Sequence, residues 1–84
     1  MEYIAFIYKE NDNYVAVVPD LNFTSSYGKT FVDAVPYIKE AAELYCEDLN
    51  ILPRASTLET LLARTDLDLP KDAISQLIEI KVEK

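Results

Sequence analysis

The apolar positions of this chain change period from strand to helix and back. From Tyr3 to Tyr8 (YIAFIY) every residue is apolar or aromatic, a dense run that suits a strand. Polar turn formers, Lys9 to Asn13, interrupt it. Tyr14 to Val18 (YVAVV) repeats the pattern, so the pair predicts an antiparallel hairpin. Pro19 ends the second strand, because proline brings no N–H to a sheet ladder. Asp20-Leu21-Asn22 connects to Phe23–Tyr27 (FTSSY), a more polar third strand expected at a sheet edge. Gly28, the only glycine in the chain, is expected to supply a backbone angle that other residues resist.

The period then becomes helical. Thr30 reads as an N-cap, with Asp33 in the first turn. Phe31, Ala34, Val35, Ile38, Ala41, Ala42, Tyr45 and Leu49 form one apolar stripe. Lys39, Glu40, Glu43, Glu47 and Asp48 cover the opposite side. Pro36 is discordant, because inside a helix it removes one hydrogen bond at a cost of roughly 3 kcal/mol. Either a start near Asp33 or a kink is expected.

Asn50 to Ala55 is a loop containing Pro53. Ser56-Thr57-Leu58-Glu59 has the form of a capping box. It opens a short helix from Thr57 to about Arg64, with Leu58, Leu61 and Leu62 on one face. Thr65 to Asp72 is a loop closed by Leu69-Pro70. Ile74 to Val82 is the last strand, in which Ile78, Ile80 and Val82 alternate with Glu79, Lys81 and Glu83. The order is α+β: three strands, a main helix, a short helix and a fourth strand.

That order poses a packing problem. One main helix covers only one face of such a sheet, and a wet second face should alternate apolar with polar residues. The first hairpin does not. Tyr3, Ala5 and Ile7 point one way and Ile4, Phe6 and Tyr8 the other; Tyr14, Ala16 and Val18 oppose Val15 and Val17. Unaided, the second face would leave on the order of several hundred Å2 of apolar surface in water, a size that marks interaction sites. Either the short helix and loops fold over it, or another chain does.

Composition narrows the classes. Eighty-four residues make one domain, 1–84, with a small core. No apolar run approaches membrane-spanning length, and the start MEYIAFIYKE has a strand pattern without signal-peptide features. A cytoplasmic location is expected, and the single cysteine, Cys46, fits a reducing compartment. Net charge is −7, from 15 acids and 8 bases. That argues against direct nucleic-acid binding and favours solubility or a basic protein partner.

One set of short motifs is shared with a known family. A strand ends at Pro19-Asp20-Leu21. A short strand leads through Gly28-Lys29-Thr30 into a helix containing Glu40-Ala41-Ala42-Glu43-Leu44-Tyr45. Leu52-Pro53-Arg54-Ala55-Ser56 follows, and a last strand runs from Leu77 to Val82. As a set, over nearly the whole chain, this resembles the HicB-like antitoxins of type II toxin-antitoxin systems. Three features depart from the family pattern: Asn22-Phe23-Thr24 replaces a frequent Pro-Gly-Cys, which should loosen the turn; Pro36 is unusual; and no DNA-binding segment follows the fourth strand. The resemblance implies a partial ribonuclease-H-like β-β-β-α-(α)-β domain, an antiparallel hairpin sheet with one main helix on one face, that has lost catalysis. It also implies a partner, a small, basic, mRNA-cleaving ribonuclease of the HicA type, and assembly into homo-dimers or higher oligomers. Without a DNA-binding tail, direct promoter regulation by this chain alone is not expected.

The residues themselves argue against chemistry. Ribonuclease-H catalysis needs carboxylates converging on Mg2+, one of them inside the first strand. Tyr3 to Tyr8 carries none, and no histidine is present as a base. Neither a metal nor a cofactor is expected. Cys46, with Glu43 and Glu47 nearby, lacks the electropositive setting of a reactive thiol. Glu40, Glu43 and Glu47 form a stripe that is either a solvated helix face or a docking surface for a basic protein. Tyr3, Phe6, Tyr8, Tyr14, Phe23 and Tyr27 are candidate contacts, since aromatic residues are enriched at interfaces. The edge strand Phe23–Tyr27 is a further candidate, through strand pairing. The expected function is that of an antitoxin occluding a ribonuclease. The alternative is an orphan module of the same fold that self-associates or binds another protein, without catalysis.

Overall fold

The computed structural model describes residues 1–82. Strand β1 (Glu2–Glu10) and strand β2 (Asn13–Val18) form the hairpin, β3 (Thr24–Gly28) follows a 3-10 turn at Pro19–Leu21, and helix α1 spans Phe31–Glu47. A five-residue helix, α2 (Leu58–Leu62), precedes β4 (Ile74–Glu79). The four strands are ordered β3-β2-β1-β4, and every neighbouring pair is antiparallel.

The β1–β2 turn is tighter than the polar break suggested. Glu10 pairs with Asn13, leaving Asn11-Asp12 as the loop, and Asn11 takes a φ of 55°. Asparagine tolerates this left-handed region better than most residues. The turn into β3 also stays tight. Asn22 and Phe23 have φ values of 55° and 59°, and the Thr24 hydroxyl donates to the Leu21 carbonyl at 2.7 Å. Phe23 thus lies before the strand, not within it.

Gly28 corrects a second expectation. Its φ is not positive. Glycine is required there by proximity: a Cβ would lie 2.6 Å from the Ala34 amide nitrogen and 2.9 Å from its Cα. The first turn of α1 therefore rests directly on the end of β3.

Helix α1 starts where its cap places it. The Thr30 hydroxyl accepts from the Asp33 N–H at 3.1 Å, so the late start near Asp33 does not occur. Pro36 lies inside the helix and leaves the Val32 carbonyl without its intrahelical donor. Both residues are exposed, so water can take the missing donor's place.

Ala34, Ile38, Ala42 and Cys46 form the buried line of α1. They pack on Tyr3, Ala5 and Ile7 of β1, on Ala16 and Val18 of β2, and on Leu21, Ile78 and Ile80. Cys46, absent from the expected stripe, is fully buried; thiols behave as small apolar groups. Fully burying an Ile or Leu side chain contributes about 1.5–3 kcal/mol, so this layer dominates stability. At the outer strand, Ile80 continues the pairing beyond Glu79, its N–H donating to the Met1 carbonyl at 2.7 Å. Ile78 and Ile80 are buried and Val82 is half-buried, while Glu79 and Lys81 are exposed. Glu83 lies outside the described residues.

Candidate functional site

The far face of the sheet carries the question of a partner. Strand register places Ile4, Phe6 and Tyr8 there with Val15 and Val17, flanked by Tyr27 on β3 and Leu77 on β4. The chain covers the middle of this face itself. Leu61 of α2 is fully buried and Phe6 is 2% exposed. Both line a cleft of about 260 Å3 with Leu62, Leu67, Leu69 and Ala73. Of the three leucines expected on one face of α2, only Leu61 is buried. Ile4, Tyr8 and Val17 remain half-buried, and Tyr27 and Leu77 are exposed. Self-cover by the short helix and loop is thus real but incomplete.

Two latches hold the cover. Ser56 donates both its N–H and its hydroxyl to the Asp20 carboxylate, at 2.6 and 2.7 Å. Ser56 is therefore not the cap of α2: the Thr57 hydroxyl accepts from the Thr60 N–H at 3.2 Å. The second latch is a stack. The Arg64 guanidinium lies 5.5 Å from the centroid of the Phe23 ring and donates to the Asp66 carboxylate at 2.8 and 2.5 Å. That bonding raises the pKa of Arg64 and lowers that of Asp66.

The aromatic candidates divide by burial. Tyr3 is fully buried, its hydroxyl donating to the Pro53 carbonyl at 2.6 Å. Phe6 is buried and lines the same cleft as Leu61. Neither presents a surface, so both leave the contact set: each sits where two layers meet. Tyr14 is half-buried and meets Phe31 edge-to-face at 6.3 Å. Tyr8 is half-buried, and burial followed by the Glu10 carboxylate raises its pKa. Phe23 and Tyr27 are exposed.

The acidic candidates divide too. Glu43 is half-buried and accepts the Lys81 N–H at 2.9 Å, tying α1 to the chain after β4. Glu40 and Glu47 are exposed on the outer side of α1. Alternating with them along the helix are two exposed apolar residues outside the expected stripe, Tyr37 and Leu44, 50% and 58% exposed. Their signal was present as an i, i+7 pair out of phase with the buried line. Beside Tyr37 a second cleft, about 280 Å3, is lined by Asn13, Tyr27, Gly28, Lys29, Asp33 and Tyr37.

Among the described residues, no three His, Cys, Asp or Glu side chains gather where they could hold a metal ion. No helix among those residues is long and apolar enough to cross a membrane. The exposed surface of these elements carries the rings of Phe23, Tyr27 and Tyr37, the side chain of Leu44, and the separated carboxylates Glu40 and Glu47.

Comparison with known proteins agrees in fold and in family. The N-terminal domain of the Burkholderia pseudomallei antitoxin HicB superposes with a TM-score of 0.78 and 26% identity, covering 98% of this chain and 100% of that one. A chain of the HicA3 and HicB3 toxin-antitoxin complex superposes with a TM-score of 0.73 at 24% identity, over 96% of this chain and 99% of that one, a likeness of fold. A UPF0150 protein of Helicobacter pylori is 47% identical over 46 residues, spanning 55% of this chain and 64% of that protein. The family model described as the HicB-like antitoxin of bacterial toxin-antitoxin systems matches residues 3–84. With its α+β fold of four antiparallel strands and one main helix, the chain belongs to the HicB-like antitoxin family.

Proposed function

We propose that this chain is the inhibitory half of a toxin-antitoxin pair, binding a HicA-like mRNA-cleaving ribonuclease and occluding its working surface. The family match over residues 3–84 carries this reading. The fold-level likeness to a chain of the HicA3 and HicB3 complex points to the partner class. The physics is compatible: a chain of net charge −7 attracts a basic protein and repels nucleic acid. Inhibition then needs no chemistry, no metal and no cofactor from this chain, only buried area. The encounter belongs in the cytoplasm, where mRNA is cleaved. Phe23, Tyr27, Tyr8, Tyr14, Glu40, Glu43 and Glu47 remain the nominated contacts, with Tyr3 and Phe6 buried inside the chain.

Co-expression tests the reading. A HicA-like protein from the same genome should arrest growth alone, be neutralised by this chain, and copurify with it. Continued arrest with no complex would overturn the proposal. An orphan self-associating module is then the stronger reading, because β4 is an edge strand with exposed Ile74 and Leu77 and no charged side chain from Ile74 to Ile78. Uncharged edges pair readily with a second copy, and dimers or higher oligomers are proposed on the same ground.

A further inference from the structure

Helix α1 has a second apolar line that the described residues leave half exposed. Tyr37 and Leu44 lie two turns apart on its solvent side, 50% and 58% exposed. Asp33, Glu40 and Glu47, all exposed, alternate with them at three- and four-residue steps, which puts all five on one face. The face is about 21 Å long at 1.5 Å per residue. At its N-terminal end it runs into the 280 Å3 cleft where Tyr27 and Tyr37 are both wall residues. Solvated helix faces do not need a tyrosine and a leucine at this spacing. A docking face does, because apolar centres ringed by charge are how protein interfaces are built.

We propose that this outer face of α1, from the Tyr27–Tyr37 cleft to Leu44, is the surface on which a basic protein docks. The proposal rests on the antitoxin reading and assigns the toxin's position within it. The charges select the occupant. A second copy on this face would set Asp33, Glu40 and Glu47 against their own duplicates in a chain already at −7. A basic partner instead pairs Lys and Arg with those carboxylates while its apolar side chains cover Tyr37 and Leu44. The β3 edge adjoins the cleft, so the partner reaches backbone as well as side chains. Lys29 also lines the cleft and opposes a basic partner. On the far face, Phe6 and Leu61 are buried at the centre, and Tyr8 stays half-buried at its margin.

The test measures affinity by calorimetry and association rate by stopped flow for a catalytically inactive HicA-like protein from the same genome, at low and high salt. Tyr37→Ala and Leu44→Ala should each weaken binding about tenfold, the loss typical of a contact that matters. Glu40→Lys with Glu47→Lys should slow association about tenfold at low salt and much less at high salt. Lys29→Ala should tighten binding. Thr65→Ala, at an exposed loop position after α2, should bind like the parent chain, and circular dichroism confirms that each variant is folded. If the parent binds and the α1 variants bind equally well, the docking face is wrong while the antitoxin reading stands. If the parent does not bind, both fall.

Discussion

Asp20 and Ser56, 36 residues apart, are joined by two hydrogen bonds, from the Ser56 N–H at 2.6 Å and its hydroxyl at 2.7 Å. This joins the Pro-Asp-Leu turn to the loop that crosses from the helix layer to the far face. Hydrogen bonds to a charged group are worth about 1.5–3 kcal/mol when broken. Asp20→Ala should therefore lower unfolding free energy by about 1–3 kcal/mol, and Ser56→Ala by less, because the backbone donor survives. A double-mutant cycle by urea denaturation should show clear coupling. Additive effects would show that the pair does not act as a unit.

Gly28→Ala should be destabilising by about 1–3 kcal/mol, the range for overpacking. The clash is with the backbone of Ala34, 2.6 Å from the new Cβ, so Ala34→Gly should not rescue it. Thermal melts of the single and double variants check this; a neutral Gly28→Ala would contradict the close approach of β3 and α1.

Phe23 occupies the left-handed region with a φ of 59°, which costs a residue with a Cβ about 1–2 kcal/mol. Arg64 stacks on its ring and partly offsets that cost. Phe23→Gly relieves the backbone and loses the stack, so stability should change by less than about 1 kcal/mol. Phe23→Val loses the stack and worsens the strain, since β-branched residues resist this region. Chemical denaturation should rank glycine above valine; the reverse order would remove the strain argument.

The Tyr3 phenol is buried, and burial, then the charges of Cys46 and Asp20, raise its pKa above 10.0. A raised folded value means that its contribution is fully present below the unfolded pKa and is lost as pH rises through the folded one. Absorbance at 295 nm should show Tyr8 ionising above pH 10.0 in the folded chain and Tyr3 in a separate late step together with unfolding. Tyr3→Phe should abolish that late step and cost about 1 kcal/mol through the unsatisfied Pro53 carbonyl. If the late step persists in Tyr3→Phe, another tyrosine is responsible.

Leu61 is the buried side chain through which α2 grips the sheet. Leu61→Ala should cost about 2–4 kcal/mol, as for core leucines. It should also speed amide exchange from residues 58 to 73 before β1 and β2. Uniform exchange across the chain would mean that the cover does not open separately.

The strands, the main helix and the Thr30 cap were legible because they depend on neighbours within a few residues. The periods of YIAFIY, YVAVV and the Ala34–Ile38–Ala42 line set which face each element buries, and net charge set the kind of partner to expect. The motif set from Pro19-Asp20-Leu21 to Ser56 pointed to the family.

What local pattern could not decide was who covers whom. How much of the far face α2 covers depended on a loop crossing the sheet end, which the Asp20–Ser56 and Tyr3–Pro53 contacts hold in place. Burial of Tyr3 and Phe6, exposure of Tyr37, and the demand for glycine at position 28 all arise where segments distant in sequence meet. Periodicity reports which residues share a face; it carries no information about what that face touches, because the covering segment lies elsewhere along the chain.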